Sequence, residues 1–155
     1  MSRPDEMIVI DASVAVKLFM QEDYSDRAEK LFSMLGSDVQ PVFIAPDLFF
    51  AECANVFRTY FKMRALDSVD AKSAMAILLE LPLQRLAIYD HVAFALELAL
   101  DNDISVYDAL YLAVAVHLGA RFVTADRKLV RKLQGRGYDI IWLGGKAFTQ
   151  SIDRK

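Results

Sequence analysis

Short apolar runs separated by helical patterns constrain the fold of this chain more than any other feature of its sequence. The runs are too short and too uniformly apolar for amphipathic helices and therefore indicate buried strands. They lie at residues 7–10, 42–45, 83–88, 122–124 and 140–143. Helical patterns fill the intervals, at residues 13–20, 24–35, 46–64, 68–81, 91–100, 106–118 and 127–134. This alternation predicts a three-layer α/β/α domain around a central parallel sheet of about five short strands.

The length of 155 residues is that of one domain, which we expect to span residues 1–155 with an ordered core at roughly 7–145. No repeat or linker divides the chain, and Pro41, Pro46 and Pro82 mark the edges of elements. Apolar residues make up 55 % of the chain, above the roughly 45–50 % of ordinary globular proteins. Some apolar surface is therefore expected to serve a partner, although core burial alone would also explain the excess.

The chain is expected to be soluble and cytoplasmic. No apolar run approaches the ~20 residues of a membrane-spanning helix, and the acidic N-terminal residues are unlike a secretory signal. The net charge of -3 gives no overall attraction to nucleic acid. The distribution of charge matters more, because basic residues gather around Asp126 and also near Asp11 and Glu52. The run around Asp126 is equally compatible with a solvated helix face.

Four acidic residues interrupt or directly follow hydrophobic segments: Asp11, Glu52, Asp108 and Asp126. An ionised carboxylate taken out of water costs several kcal/mol unless a cation or hydrogen-bond donors meet it. In open α/β sheets the working site lies beyond the C-terminal ends of the strands, and both Asp11 and Asp126 follow predicted strands. A divalent metal shared by the four acids would explain all of these positions.

The type of metal is limited by the few soft ligands in the chain. Cys53 is the only cysteine, and with only His91 and His117 beside it no cysteine-histidine zinc site can be assembled. A metal in this protein must therefore be a hard ion held by oxygen, such as Mg²⁺ or Mn²⁺.

Each acid also has an ordinary structural interpretation. Asp11 or Ser13 could cap the helix that follows the first strand, and Asp126 could cap the helix predicted at residues 127–134. Ser105 and Asp108 form the Ser-x-x-Asp pattern of a capping box. These alternatives remain open at the level of the sequence.

Glu52 lies inside a helix and is harder to explain by capping. On a helical wheel it falls at the edge of a narrow polar arc with Asn55, Arg58, Thr59 and Lys62, while large apolar side chains cover the rest. This arc is either a solvated stripe or the lining of a groove. In the second case Glu52 faces a metal, Asn55 is its hydrogen-bonding neighbour, and the basic residues face an anionic substrate.

Four segments in order along the chain resemble the motifs of PIN domains, and most closely those of VapC-type toxins. The matching residues are Ile8-Val9-Ile10-Asp11-Ala12-Ser13-Val14, then Ala51-Glu52 with Asn55-Val56 and Arg58, then Tyr107-Asp108-Ala109-Leu110-Tyr111-Leu112-Ala113, then Val123-Thr124-Ala125-Asp126. The resemblance extends over nearly the whole chain. The occurrence of all four motifs in this order is far more specific than any one of them.

The resemblance implies a metal-dependent endoribonuclease that is the toxin of a toxin-antitoxin pair. Asp11 and Asp108 would be primary ligands of Mg²⁺ or Mn²⁺, with Glu52 and Asp126 as ligands of a second ion or through water. Water would hydrolyse the RNA phosphodiester without a protein nucleophile. The supporting roles are assigned to hydroxyl or amide neighbours (Ser13, Thr124, Asn55) and to RNA-binding cations (Lys17, Arg58, Lys62, Arg127).

The same resemblance implies a VapB-like antitoxin that covers the site, and a homodimer of the nuclease. The main alternative is a catalytically silent PIN-like module that binds RNA or protein without cutting. Other enzyme classes fit poorly. The second carboxylate of a haloacid-dehalogenase phosphatase is replaced by Ser13, Gly144-Gly145-Lys146 is no phosphate-binding loop, and no Gly-x-Ser-x-Gly elbow accompanies the two histidines.

Overall fold

A computed structural model of the protein describes residues 6–35 and 41–152, so residues 1–5, 36–40 and 153–155 of the predicted domain lie outside this description. Five parallel strands form one sheet in the order β3-β2-β1-β4-β5. They are β1 (Met7–Ile10), β2 (Val42–Pro46), β3 (Gln84–Leu86), β4 (Arg121–Thr124) and β5 (Ile140–Trp142). The predicted parallel sheet of five short strands is confirmed.

Eight α-helices connect and cover the strands within the described residues. They are α1 (Ala12–Ala15), α2 (Ser25–Phe32), α3 (Leu48–Lys62), α4 (Ser68–Glu80), α5 (Val92–Asn102), α6 (Val106–Leu118), α7 (Arg127–Leu133) and α8 (Lys146–Ile152). Short 3₁₀ turns follow α1, at Val16–Leu18, and precede α5, at Tyr89–His91.

Helices cover both faces of the sheet. Phe43 of β2 is paired with Ile8 and stacks on Phe32 of α2 with the ring centroids 5.9 Å apart. Phe122 of β4 is paired with Val9 and stacks on Tyr111 of α6 at 5.8 Å. Since consecutive residues of a strand point to opposite faces, α2 and α6 pack on opposite sides, which confirms the three-layer arrangement. Helix α6 is buried without a break from residue 109 to residue 115.

The strand order reverses at β1. From β1 the chain builds the sheet outward through β2 and β3, and it then crosses back to add β4 and β5 on the other side. The C-terminal ends of β1 and β4 are therefore a topological switch point, the place where open α/β sheets bind ligands. Asp11 follows β1 and Asp126 follows β4, so the fold brings both acids to this edge.

Several element boundaries differ from the sequence prediction. The helix predicted at 13–20 is a single α-helical turn followed by a 3₁₀ turn, and the strand predicted at 83–88 has only three residues. Helix α8 was not predicted, yet its Phe148 is buried in the core. None of the helices in the described residues is both long enough and apolar enough to cross a membrane.

Candidate active site

Asp11 is a buried carboxylate at the C-terminal end of β1, with 6 % of its surface exposed. Its Oδ1 accepts a hydrogen bond from the Ser13 amide at 3.4 Å, which caps the first turn of α1. Its Oδ2 accepts from the Ser13 hydroxyl at 3.0 Å and from the Thr124 hydroxyl at 2.6 Å. Burial raises the pKa of Asp11, the hydrogen bonds from Thr124 and Ser13 lower it, and the charge of Asp108 raises it further.

Ser13 and Thr124 tie the end of β1 to the end of β4. Ser13 Oγ accepts from the amide of Ala125 at 3.0 Å, and Thr124 Oγ1 accepts from the amide of Asp126 at 3.1 Å. Each hydroxyl has one proton to donate. If both protons go to Asp11, the 3.4 Å contact between the two hydroxyls carries no hydrogen bond. The two hydroxyls therefore fix Asp11 and the Asp126 loop together.

Glu52 lies on α3, half-buried, and is held by a residue that the sequence analysis did not single out. The hydroxyl of Tyr111 donates to Glu52 Oε1 at 2.7 Å. Burial raises the pKa of Glu52, the hydrogen bond from Tyr111 lowers it, and the charges of Asp11 and Asp108 raise it further. The ring of Tyr111 is fully buried, so this hydroxyl is rigidly placed. The second tyrosine of the Tyr-Asp-Ala-Leu-Tyr motif could have suggested this role.

Asp108 lies in the first turn of α6, where its amide donates to the hydroxyl of Ser105 at 3.0 Å, the capping contact expected from the sequence. Burial raises the pKa of Asp108, Ser105 lowers it, the charge of Asp126 raises it, and that of Lys132 lowers it. Lys132 is hydrogen-bonded to the main-chain carbonyl and the carboxylate of Asp103. Lys132 belongs to the basic run around Asp126, and nothing in the sequence distinguishes it from the other residues of that run.

Asp126 is exposed at the start of α7. One oxygen, Oδ1, accepts from the amide of Leu129 at 3.1 Å and caps the helix. The capping interpretations of Asp11 and Asp126 are thus correct as structure, as is that of Ser105. They do not compete with a role in a site, because each carboxylate keeps an oxygen free of that cap.

Electrostatic coupling indicates that the four acids lie near one another. The charge of Asp108 raises the pKa of both Asp11 and Glu52, and the charge of Asp126 raises the pKa of Asp108. Cys53, fully buried next to Glu52 in the chain, has a pKa raised by burial and by the charges of Asp11 and Glu52. The negative charges therefore share one region at the switch point of the sheet.

The donor chemistry of this region fits a hard divalent cation. The available donors are carboxylate oxygens, and burial together with mutual repulsion makes their charged forms costly until a cation enters. In residues 6–35 and 41–152, however, no three acidic, cysteine or histidine side chains form a ready-made group that could hold an ion. These residues supply carboxylate oxygens, the ligands that a hard cation prefers, but their side chains do not form a preformed metal site in the described residues.

The other residues predicted for the site lie on α3, at the start of α7 and in the 3₁₀ turn after α1. Asn55 is exposed, and its main-chain carbonyl accepts from the Thr59 hydroxyl at 3.0 Å. Lys17 lies 4.0 Å from Glu22, and Arg58 lines a groove between α3 and α4. Lys62 is exposed at the end of α3. Arg127 is exposed directly after Asp126 and lies over the ring of Trp142.

A protein-family model described as "PIN domain" matches residues 8–133 of the chain. The match begins in β1 and ends with α7, so it includes all four acids and every strand except β5.

Individual proteins are similar over most of their length. The chain is 29 % identical over 128 residues to "Ribonuclease VapC3" of Pyrobaculum aerophilum, which covers 81 % of this chain and 93 % of that protein. The crystal structure of PAE2754 from the same organism has a TM-score of 0.69 at 19 % identity and covers 97 % of this chain and 91 % of its own. A toxin-antitoxin complex from Klebsiella pneumoniae has a TM-score of 0.59 at 14 % identity, covering 88 % and 97 %. The two structural likenesses show a shared fold.

Proposed function

The chain belongs to the PIN-domain family, and from that premise we propose that it is a metal-dependent endoribonuclease, the toxin of a toxin-antitoxin pair. The observation that carries the proposal is the grouping of Asp11, Glu52 and Asp108, whose pKa values are all raised first by burial and then by the charge of another of the four acids. A relative of similar length is named as a ribonuclease. A place where several buried carboxylates repel one another is a place suited to a divalent cation.

The reaction is hydrolysis of an RNA phosphodiester. The oxygen of water forms a bond to phosphorus, the bond from phosphorus to the leaving sugar oxygen breaks, and that oxygen takes up a proton. Mg²⁺ or Mn²⁺, when bound, would supply positive charge to the phosphate and lower the pKa of a water molecule. Asp11 and Asp108 are the residues that would hold it, with Glu52 and Asp126 for a second ion or through water.

The chain's own residues keep those carboxylates in place. The hydroxyls of Ser13 and Thr124 fix the carboxylate of Asp11, and the hydroxyl of Tyr111 fixes that of Glu52. Such supporting contacts orient ligand atoms and are as important to a metal site as the ligands themselves. Lys132, held by Asp103, supplies positive charge beside Asp108.

Cleavage of mixed cellular RNA by the purified protein tests the proposal. We expect cutting with Mg²⁺ or Mn²⁺, none with chelator, and at least a roughly 100-fold loss in Asp11→Asn. The matched control is Asp26→Asn, which makes the same change at an exposed position in the first turn of α2. Absence of cutting by stoichiometric protein, with antitoxin shown to be absent, would instead support the silent binding module.

The groove between α3 and α4 is the surface we assign to the antitoxin. It has a volume of about 300 Å³, and Phe61 in its wall is 50 % exposed. Apolar side chains form its bed while Arg58 and Lys72 supply positive charge, a pattern that suits an amphipathic helix with acidic residues. Phe61→Asp should abolish binding of a cognate VapB-like antitoxin, as measured by calorimetry with the purified partner. Unchanged binding would remove this assignment.

The exposed face of α5 is the surface we assign to a homodimer. Val92, Phe94, Leu96 and Leu100 are exposed along it, and Glu97 is its one acidic interruption before the last turn. An apolar surface of this kind on a helix is typical of an interface. We propose that the homodimer forms in the cytoplasm, where it would encounter both RNA and an antitoxin.

A further inference from the structure

An aromatic ring lies beside the acidic site at the C-terminal edge of the sheet. Trp142 ends β5 and is paired in register with Thr124, the residue whose hydroxyl holds Asp11. The guanidinium carbon of Arg127 lies 4.9 Å from the centroid of the indole ring. Because Arg127 directly follows Asp126, this cation and ring adjoin the acid that caps α7.

Tyr24 and Gly144 also hold the ring in position. Tyr24 meets Trp142 edge to face with the centroids 5.7 Å apart. A Cβ on Gly144 would lie 2.5 Å from one atom of the indole and 2.8 Å from the ring of Tyr24, so only glycine fits there. Tyr24 itself has a φ of 67°, in the left-handed region that bulky residues rarely occupy. Backbone strain of this kind is often kept where a side chain must be aimed at a ligand.

A third residue fixes the loop after β5. One nitrogen of Arg27, Nη1, donates to the carbonyl oxygens of Leu143 at 2.9 Å and Gly145 at 3.0 Å. The guanidinium of Arg27 also lies 5.4 Å from the ring centroid of Tyr24. Arg27 thus holds the main chain after Trp142 by hydrogen bonds and contacts the ring of Tyr24.

Two polar groups of this cluster lack partners. The indole Nε1 of Trp142 is buried and finds no acceptor among the described residues. Arg127 is exposed, and none of the carboxylates in the described part of the chain pairs with it. Buried donors are nearly always satisfied in native proteins, and the guanidinium of Arg127, over the indole ring, is exposed to solvent.

We propose that Arg127 and Trp142 form a stacking site for one unpaired nucleobase of the RNA, next to the phosphate that is cut. The inference rests on the proposed ribonuclease function and adds a residue that determines the class of substrate. Bases of single-stranded RNA stack on aromatic rings and on guanidinium planes, whereas bases inside a duplex are not available. The site therefore selects single-stranded regions and loops.

The chain offers its own reporter for this site, because Trp142 is the only tryptophan among 155 residues. Asp11→Asn protein in Mg²⁺ is titrated with an eight-nucleotide RNA, and Trp142 emission is followed together with the anisotropy of a labelled copy of that RNA. We expect emission to change saturably and in step with binding. A blunt duplex of the same sequence should leave the emission unchanged. Binding without any change in emission would overturn the stacking site.

Arg127→Lys separates stacking from charge. Lysine keeps the positive charge but has no planar face, so we expect the affinity for single-stranded RNA to fall roughly 5- to 20-fold with little change in its salt dependence. Arg131→Lys makes the same change one turn later on α7, at an exposed position, and should bind normally. Equal affinity of Arg127→Lys and the unaltered protein would contradict the proposal.

Failure of this inference is distinguishable from failure of the proposed function. Cleavage of RNA by the unaltered protein, measured in parallel, with no response of Trp142 overturns the stacking site and leaves the nuclease. Absence of both cleavage and RNA binding overturns both. Trp142→Leu gives a second route: if it folds and binds single-stranded RNA as tightly as the unaltered protein, the ring has no part in recognition.

Discussion

Thr124 links two of the proposed metal ligands and is the residue whose loss should show how much they depend on support. Thr124→Val keeps the shape but removes a donor to Asp11 and the acceptor for the Asp126 amide. We expect a loss of about 1–3 kcal/mol in the free energy of unfolding and a roughly 10- to 100-fold loss of cleavage. Denaturant titration and RNA cleavage measure the two effects. Thr59→Val, at an exposed hydroxyl, should stay within about 0.5 kcal/mol.

Tyr111 should affect the site without affecting the core. Tyr111→Phe keeps the ring that stacks on Phe122 and removes the hydrogen bond to Glu52. We expect metal affinity, measured by calorimetry, to fall roughly 10-fold. Tyr60→Phe removes a similar hydrogen bond, to Glu22 at 2.9 Å, and should leave metal affinity unchanged. Equal effects of the two variants would deny Tyr111 a specific role.

The raised pKa of Asp108 makes the stability of the metal-free protein depend on pH. Because the pKa is higher in the folded than in the unfolded protein, the folded state holds more protons between the two values, and stability falls as pH rises through that window. Asp108→Asn removes the charge, so in chelator it should be more stable than the unaltered protein at pH 7, and this advantage should shrink toward pH 4. Urea unfolding at several pH values measures it. An advantage that does not vary with pH would refute the electrostatic explanation.

For single residues, the sequence predicted two roles at once, helix capping and membership of the acidic site. Asp11 and Asp126 do cap helices, Ser105 does cap the helix of Asp108, and the carboxylates still converge. Spacing along the chain could not reveal Tyr111 as the partner of Glu52 or Lys132 as the cation near Asp108. Those contacts join residues 59 and more than 20 positions apart and depend on where the fold places α3, α6 and α7.

Among the elements, α5 offers the sharpest test, because its exposed face is almost entirely apolar. Leu96 is 49 % exposed and Leu100 75 % exposed. Leu96→Asp should convert the proposed dimer into a monomer, as measured by light scattering, because a buried unpaired charge costs several kcal/mol at an interface. Leu79→Asp, on α4 with similar exposure, is the control and should remain dimeric. A monomeric unaltered protein would refute the dimer outright.

Elements were predictable where hydrophobic patterns are strong and unpredictable at their ends. β1, α6 and α7 match their predicted positions closely, since apolar runs and caps both mark them. β3 is shorter than predicted because it is the edge strand, with Gln84 and Arg85 exposed. Helix α8 was missed because Gly144 and Gly145 precede it and, among residues 146–151, only Phe148 is buried in the core.

For the molecule as a whole, the net charge of -3 must be reconciled with binding of a polyanion. If Lys17, Arg58 and Lys62 each contact an RNA phosphate while Arg127 stacks on a base, the logarithm of the binding constant should fall with the logarithm of salt concentration with a slope of about -2. Anisotropy titrations at several salt concentrations measure this slope. Arg58→Gln should reduce it by about 0.7. A flat dependence would exclude a basic groove.

The sequence predicted the overall architecture and the edge of the sheet where the acids meet, because alternating strand and helix patterns indicate a parallel sheet, whose working edge lies at the C-terminal ends of its strands. It could not predict which surface serves which partner. The apolar excess is divided between the α3–α4 groove and the α5 face, and this division depends on which helix faces remain uncovered once the layers have packed.

The buried thiol of Cys53 can report how often this protein opens locally. Its thiol is fully buried beneath α3, and burial raises its pKa, so a thiol reagent can reach the reactive thiolate only when α3 lifts from the sheet. The rate of labelling therefore reports the population of locally opened molecules. A bound cation at Glu52, one position earlier on the same helix, would slow this rate in proportion to its occupancy, so site filling can be followed without RNA and without turnover.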